Sequence, residues 1–133
     1  MKLAVILIGL ATPALAQDLL FFHAPSGNIH CLIATGDGAE ARCDIVQLTT
    51  TIPPRPADCD LDYGHAFTIG PTDTKGLRAC VGDTVADPEG MTLAYGDRID
   101  LGGFTCRSEA TGMTCQNALG HGFTLAKARQ SLF

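Results

Sequence analysis

Hydrophobic and β-forming residues come in short runs along this chain, each closed by glycine, proline or aspartate before it reaches helical length. Runs at residues 19–22, 28–34, 41–48, 66–69, 92–95, 104–108, 113–117 and 122–125 read as strands, because branched and aromatic side chains suit a pleated, half-buried surface. Turns between them come from Pro25-Ser26-Gly27, Gly36-Asp37-Gly38, Gly70-Pro71, Pro88-Glu89-Gly90, Tyr95-Gly96-Asp97 and Gly102-Gly103. Short strands at this spacing predict an all-β fold, a small antiparallel sandwich or barrel. One segment departs from the pattern. Ala126-Lys127-Ala128-Arg129-Gln130 favours helix by propensity, so a short C-terminal helix is predicted over residues 126–132. Pro53-Pro54-Arg55-Pro56 reads as an internal loop, since neither side of it alone has enough residues for a good core.

The amino terminus has a different layout. Lys2 precedes an apolar run ending at Leu10, followed by Pro13 and the small-x-small ending Ala14-Leu15-Ala16, the pattern of a secretory signal peptide. That run falls short of the about 20 residues a membrane span needs, and no second run of that length follows. Residues 1–16 are expected to be removed, leaving one exported β domain at 17–133 with no transmembrane segment. Gln17 follows the expected cut, so no cysteine stands there for lipid attachment.

Six cysteines, Cys31, Cys43, Cys59, Cys80, Cys106 and Cys115, all lie beyond the leader. An even number in an exported chain predicts three disulfides. Cys31 and Cys43 are equidistant from Asp37, so a three-residue hairpin loop at Gly36-Asp37-Gly38 sets them opposite each other. A four-residue loop at 109–112, with Gly112 left-handed, places Ser108 against Met113 and hence Cys106 against Cys115. Elimination joins Cys59 to Cys80 across a loop. On the chain-entropy argument each closed loop of about 10 to 22 residues is worth roughly 3 kcal/mol. Both hairpins are entered from a glycine, Gly27 and Gly103, a faint internal echo that hints at similar packing.

Nine Lys and Arg face fourteen Asp and Glu, and losing Lys2 takes the net charge from −5 to −6. The basic residues are scattered. Nucleic acids and anionic membranes are bound mainly through clustered cations, so both are disfavoured as partners.

Phe22, the run Pro25 to Cys31, Arg42-Cys43-Asp44, Cys59 followed by Tyr63-Gly64, Cys80-Val81-Gly82-Asp83-Thr84, Leu93-Ala94-Tyr95-Gly96, Phe104-Thr105-Cys106, Gly112 to Asn117 and Gly120-His121-Gly122-Phe123 together resemble an uncharacterised family of exported bacterial six-cysteine domains. The resemblance covers nearly all of residues 17–133. It implies the compartment and the cysteine framework and transfers no catalytic residue. Where such a domain usually has Trp after Asp62, this chain has Tyr63, a tolerable aromatic exchange.

Motifs for catalysis are missing. Cys31 follows His30, but neighbours on a strand point to opposite faces, so no Cys–His pair forms, and no Cys-x-x-Cys or Gly-x-Ser-x-Gly occurs. His23, His30, His65 and His121 are scattered, without metal-ligand spacing. Asp58, Asp60 and Asp62 open like a calcium loop, yet Tyr63 stands where glycine is needed and Ile69 where a bidentate glutamate is needed. Asp83, Asp97 and Asp100 lie near turns and are candidate acids for glycan cleavage, although aspartate in turns usually serves the backbone. No catalytic residue, metal or cofactor is assigned. The candidate binding residues are Asn28 and His30, two apart on one strand face, with Gly120, His121 and Gly122, whose glycines would admit a partner's backbone.

The resulting expectation is a monomeric periplasmic or secreted module that binds an envelope protein or glycan without catalysis. Alternatives are a small periplasmic enzyme acting on envelope glycan or peptide, and a hydrolase inhibitor using the rigid loop at 53–58. Phe133 at the end of the chain does not make an outer-membrane strand, because Lys127, Arg129 and Ser131 spoil the lipid-facing alternation.

Overall fold

The computed structural model describes Ile6, residues 8–10 and residues 17–133. The signal peptide expected over 1–16 lies, but for those four positions, outside the described residues. Ile6, Ile8 and Leu10 are exposed and contribute nothing to the core.

Eleven strands are present, and no helix occurs among the described residues. They are β1 (Leu19–His23), β2 (Ile29–Ala34), β3 (Glu40–Ile45), β4 (Asp62–Ile69), β5 (Leu77–Val81), β6 (Met91–Thr92), β7 (Arg98–Leu101), β8 (Phe104–Glu109), β9 (Gly112–Gln116), β10 (Gly122–Ala126) and β11 (Arg129–Leu132). A six-stranded sheet runs in the order β5-β4-β3-β2-β1-β6 and a five-stranded sheet in the order β11-β10-β9-β8-β7. Neighbours are antiparallel except β1 and β6.

The sheets are held face to face by two matching rows of side chains. In the first sheet the inward row is Phe22, Cys31, Cys43 and Phe67; in the second it is Ile99, Cys106, Cys115, Phe123 and Leu132. Cys31–Cys43 and Cys106–Cys115 are disulfides between directly opposed residues, each with Cα atoms 4.1 Å apart. Phe67 meets Phe123 across the core with ring centroids 6.2 Å apart. Ile33, Ile45, Ile69, Phe104, Met113 and Leu125 fill the remainder. The echo between the two Cys-stapled hairpins thus has a physical basis: each supplies the centre of one sheet.

The third expected disulfide, Cys59–Cys80, also forms, tying the loop before β4 to β5. The hairpin at 109–112 is tighter than predicted. Glu109 still pairs with Gly112, leaving Ala110-Thr111 as a two-residue turn, and the register of Cys106 survives because both loops share one centre. Gly112 has φ 145°, outside the left-handed helical region that the longer loop required.

The predicted C-terminal helix is not formed. Residues 129–132 are β11, which pairs with β10 from Ala126↔Arg129 to Phe123↔Leu132. Without that pairing β10 would be an open edge, and Leu132 would lose its place against the core. Those tertiary gains override the local helix propensity. Phe133 completes the closure, its carbonyl accepting from Gly76 N at 3.1 Å and Gly122 N at 2.8 Å.

β5 and β6 stand at opposite edges of the six-stranded sheet, so residues 82–90 cross its outer face as a strap. Val85 is the buried anchor of that strap.

Candidate functional site

Beneath the strap lies the chain's one buried ionic cluster among the described residues. Alternation along β3 turns Glu40, Arg42 and Asp44 to the outer face, away from the disulfide row. Arg42 grips Asp44 with two hydrogen bonds, Nε to Oδ1 at 2.9 Å and an Nη to Oδ2 at 3.1 Å. It also donates to the Asp83 carboxylate at 2.8 Å and to the Asp83 carbonyl at 3.0 Å. Asp44 in turn accepts from Val85 N at 3.1 Å. The strap is therefore pinned by one guanidinium whose planar fork meets two acids.

The electrostatics follow from this geometry. Burial works most strongly against the Arg42 charge, but hydrogen bonds and charge from Asp44 and Asp83 outweigh it and hold the guanidinium more basic than usual. Hydrogen bonding to Arg42, with its charge, pulls the Asp83 carboxyl below the ordinary carboxylate value. Burial raises Glu40, with Asp83 and Asp44 adding to that rise and Arg42 opposing it.

Beside the cluster, between the strap and the loop joining β3 to β4, is a cleft of about 460 Å3. Its floor is the outer face of the sheet at His30, Asp44 and Ala66; Asp83 and Thr84 form one wall, and Arg55, Tyr63 and His65 the other. Both walls are fixed. Arg42 holds the strap, and Cys59–Cys80 joins the loop to the strand from which the strap departs. His30 Nε2 is bonded to the Gly27 carbonyl at 2.9 Å and His65 Nδ1 to the Ile45 carbonyl at 2.8 Å, leaving the second nitrogen of each ring without a partner among the described residues.

A second hollow of about 480 Å3 lies at the end of the sandwich, between the turn at 24–28, the β8–β9 turn, Tyr95 and Lys127. Asn28 lines it, but its amide is engaged at both atoms: Nδ2 donates to the Gln47 carbonyl at 3.0 Å and Oδ1 accepts from Gln47 N at 2.9 Å. This clamp extends the β2–β3 pairing by local side-chain hydrogen bonds.

The residues expected to form one patch are not brought together. Asn28 lines the end hollow and His30 the outer-face cleft. Gly120 and His121 sit beyond the other end of β9 from Gly112, which borders the Asn28 hollow, roughly 15 Å along the strand. His121 is half-buried, its backbone bound to Asn117, whose side chain also holds Gly70 and Asp73. The glycines beside it serve the fold. Gly120 supplies φ 84° in the turn, and a Cβ on Gly122 would collide with the Cys115 carbonyl.

Arg55, Tyr63 and His65 carry no local sequence signal as site residues: Arg55 comes from the β3–β4 loop, and Tyr63 and His65 from β4 at an irregularity of its pairing with β5, both set by tertiary contacts. Arg42 did carry a signal: a cation between the apolar Ala41 and Cys43, with Asp44 on the same strand face.

The candidate acids are dispersed or engaged. Asp83 is spent on Arg42, as is Asp44; Asp97 lies in the turn before β7, its backbone bonded to Ala94 and Ser108; Asp100, on β7 of the other sheet, accepts from Thr105 at 2.6 Å and pairs with Arg98. Of the Asp58, Asp60 and Asp62 series, Asp62 borders the cleft. The sulfurs of Cys31, Cys43 and Cys115 cluster within 4.8 Å, a spacing that thiolates could use for a metal, but all three are tied up in disulfides.

One family matches the sequence, over residues 2–133, and it is described as a family of unknown function. No curated protein and no solved structure matches the chain.

Proposed function

The chain belongs to that family of unknown function, DUF6636, and on that premise we propose that it is an exported, non-catalytic binding module of the cell envelope. Three disulfides suit an oxidising compartment, and no helix among the described residues is long and apolar enough to cross a membrane. The observation that carries the reading is the outer-face cleft, whose walls are fixed before any ligand arrives. Its volume lies in the range of small-ligand sites, roughly 300–1,000 Å3. Pre-formed walls lower the ordering cost of binding.

Binding is favoured over hydrolysis by the state of the acids. Glycan cleavage needs one acid held protonated near a second. Here Asp44 and Asp83 are both bonded to Arg42, which leaves Asp62 as the one other acid of the cleft, and Glu40, the carboxyl with a raised pKa, is not among the cleft residues. The ligand class is a polar segment of envelope glycan or peptide, met by Arg55, the open nitrogens of His30 and His65, and Tyr63. The thermal unfolding midpoint of the exported, oxidised protein tests this against peptidoglycan fragments and envelope peptides. A saturable rise that is smaller in His65→Ala is expected; no rise with either class would contradict the reading.

A second reading draws on residues 53–58, all exposed and anchored by Cys59, as a rigid loop suited to a hydrolase cleft. Inhibition of trypsin-like proteases that depends on Arg55 would favour it.

A further inference from the structure

The end hollow meets the outer-face cleft only at Val46 and has chemistry of its own. Its rim carries Tyr95, which is 48% exposed. The fold holds it there. Asp97 N donates to the Ala94 carbonyl at 3.0 Å and Gly96 has φ 91°, a type II turn with Tyr95 at its second position. Gly96 N bonds to the Ser108 carbonyl at 2.7 Å and Ser108 N to the Asp97 carbonyl at 3.0 Å, fastening this turn to β8. Buried Leu93 draws the preceding chain inward, so Tyr95 stands at the apex of a fixed turn with its hydroxyl unbonded among the described residues.

The facing walls are equally rigid. The turn at 24–28 is closed by Gly27 N to the Ala24 carbonyl at 2.9 Å, and the Asn28–Gln47 clamp holds the floor. The Lys127 carbonyl is fixed by Thr49 N at 2.9 Å. Glu109 and Lys127 both border the hollow, and neither forms an ion pair among the described residues. One acid and one base border the hollow, so its lining carries no net formal charge. What remains is a half-exposed aromatic side chain sharing a hollow with a carboxylate, an ammonium and the Thr111 hydroxyl, carried on turns and the end of β8.

That combination suits a ligand with an apolar C–H face and many hydroxyls. We propose that the end hollow is a saccharide-binding site, in which one sugar ring stacks on Tyr95 while its hydroxyls bond to Glu109, Lys127 and Thr111. An aromatic ring provides contact area at low conformational cost, and the polar groups fix orientation.

The test is a 15N–1H NMR titration of the exported, oxidised protein with neutral oligomers of glucose, galactose and N-acetylglucosamine. Saturable shifts are expected at Tyr95, Gly112 and Lys127 with at least one series. Tyr95→Ala should weaken binding about tenfold or more, and Tyr95→Phe should retain it. Equal thermal midpoints for the variants exclude misfolding as the cause. His65→Ala should leave this binding unchanged. Absence of binding to all three series, or binding that survives Tyr95→Ala, overturns the saccharide site without touching the outer-face cleft. Shifts centred on Tyr63 and His65 would also overturn it, while supporting the cleft as the recognition surface.

Discussion

The Cys43 and Cys115 sulfurs lie 3.6 Å apart across the core, so the disulfide of one hairpin rests directly on that of the other. Each bridge staples the centre of its own sheet, and their contact joins the sheets at the middle of the sandwich. Stability is therefore expected to be coupled between two bonds that are distant in sequence.

Replacing either core pair by alanine should cost about 2–5 kcal/mol. Because the bridges touch, the loss from removing both should depart from the sum by more than about 0.5 kcal/mol. Removal of Cys59–Cys80, outside the core cluster, should add independently to either. Urea unfolding of the single and double variants measures all three terms.

Arg42 and Asp83 form the strap's ion pair but should be unequal partners. Arg42→Ala leaves Asp44 under the strap without its counter-charge, at an expected cost of about 3–5 kcal/mol. The Asp83 side chain is 77% exposed, so Asp83→Asn should cost less than about 1 kcal/mol. Denaturant unfolding checks the magnitudes, and faster hydrogen exchange at the Val85 amide would report release of the strap.

Glu40 and Asp83 bend the pH dependence in opposite directions. The raised Glu40 pKa favours its protonated form in the fold, so its contribution is full below the ordinary 4.5 and is lost as pH rises through the folded value. The lowered Asp83 pKa gives a contribution present above 3.8 and lost as pH falls through the folded value. Glu40→Gln should therefore be more stable than the parent at pH 7, with the difference vanishing near about pH 4. A midpoint gap that is constant across this range would contradict the assignment.

Gly122→Ala should be among the most damaging single changes. The added methyl meets the Cys115 carbonyl at the β9–β10 pairing, and backbone there can yield only by breaking the ladder. A loss above about 4 kcal/mol, or failure to fold, is expected. Gly120→Ala, in an open turn at φ 84°, should cost only the roughly 1 kcal/mol of left-handed backbone.

Much of the fold was legible because it is written locally. The hairpins place Cys31 against Cys43 and Cys106 against Cys115 by symmetry about their turns, and that symmetry holds even where the predicted loop length does not. β5, β7 and β11 were not legible. Leu77–Val81 and Arg98–Leu101 mix apolar with charged residues, and Arg129–Leu132 sits within a helix-favouring sequence; each becomes a strand by pairing with a neighbour. The candidate site was less legible for the same reason. His30 could be named from its strand face, but Tyr63 and His65 reach the cleft from β4, at an irregularity of its pairing with β5 between Tyr63 and Ala66, and Arg55 reaches it from the loop that Cys59–Cys80 ties down.

The most direct test of the binding account is chemical-shift mapping of the exported, oxidised protein with purified peptidoglycan fragments and envelope peptides, with product analysis of the same samples. The account predicts saturable shifts at His30, Tyr63, His65 and Thr84, with every ligand recovered intact. Unchanged spectra at those residues with both ligand classes, or ligand converted to product, would contradict it.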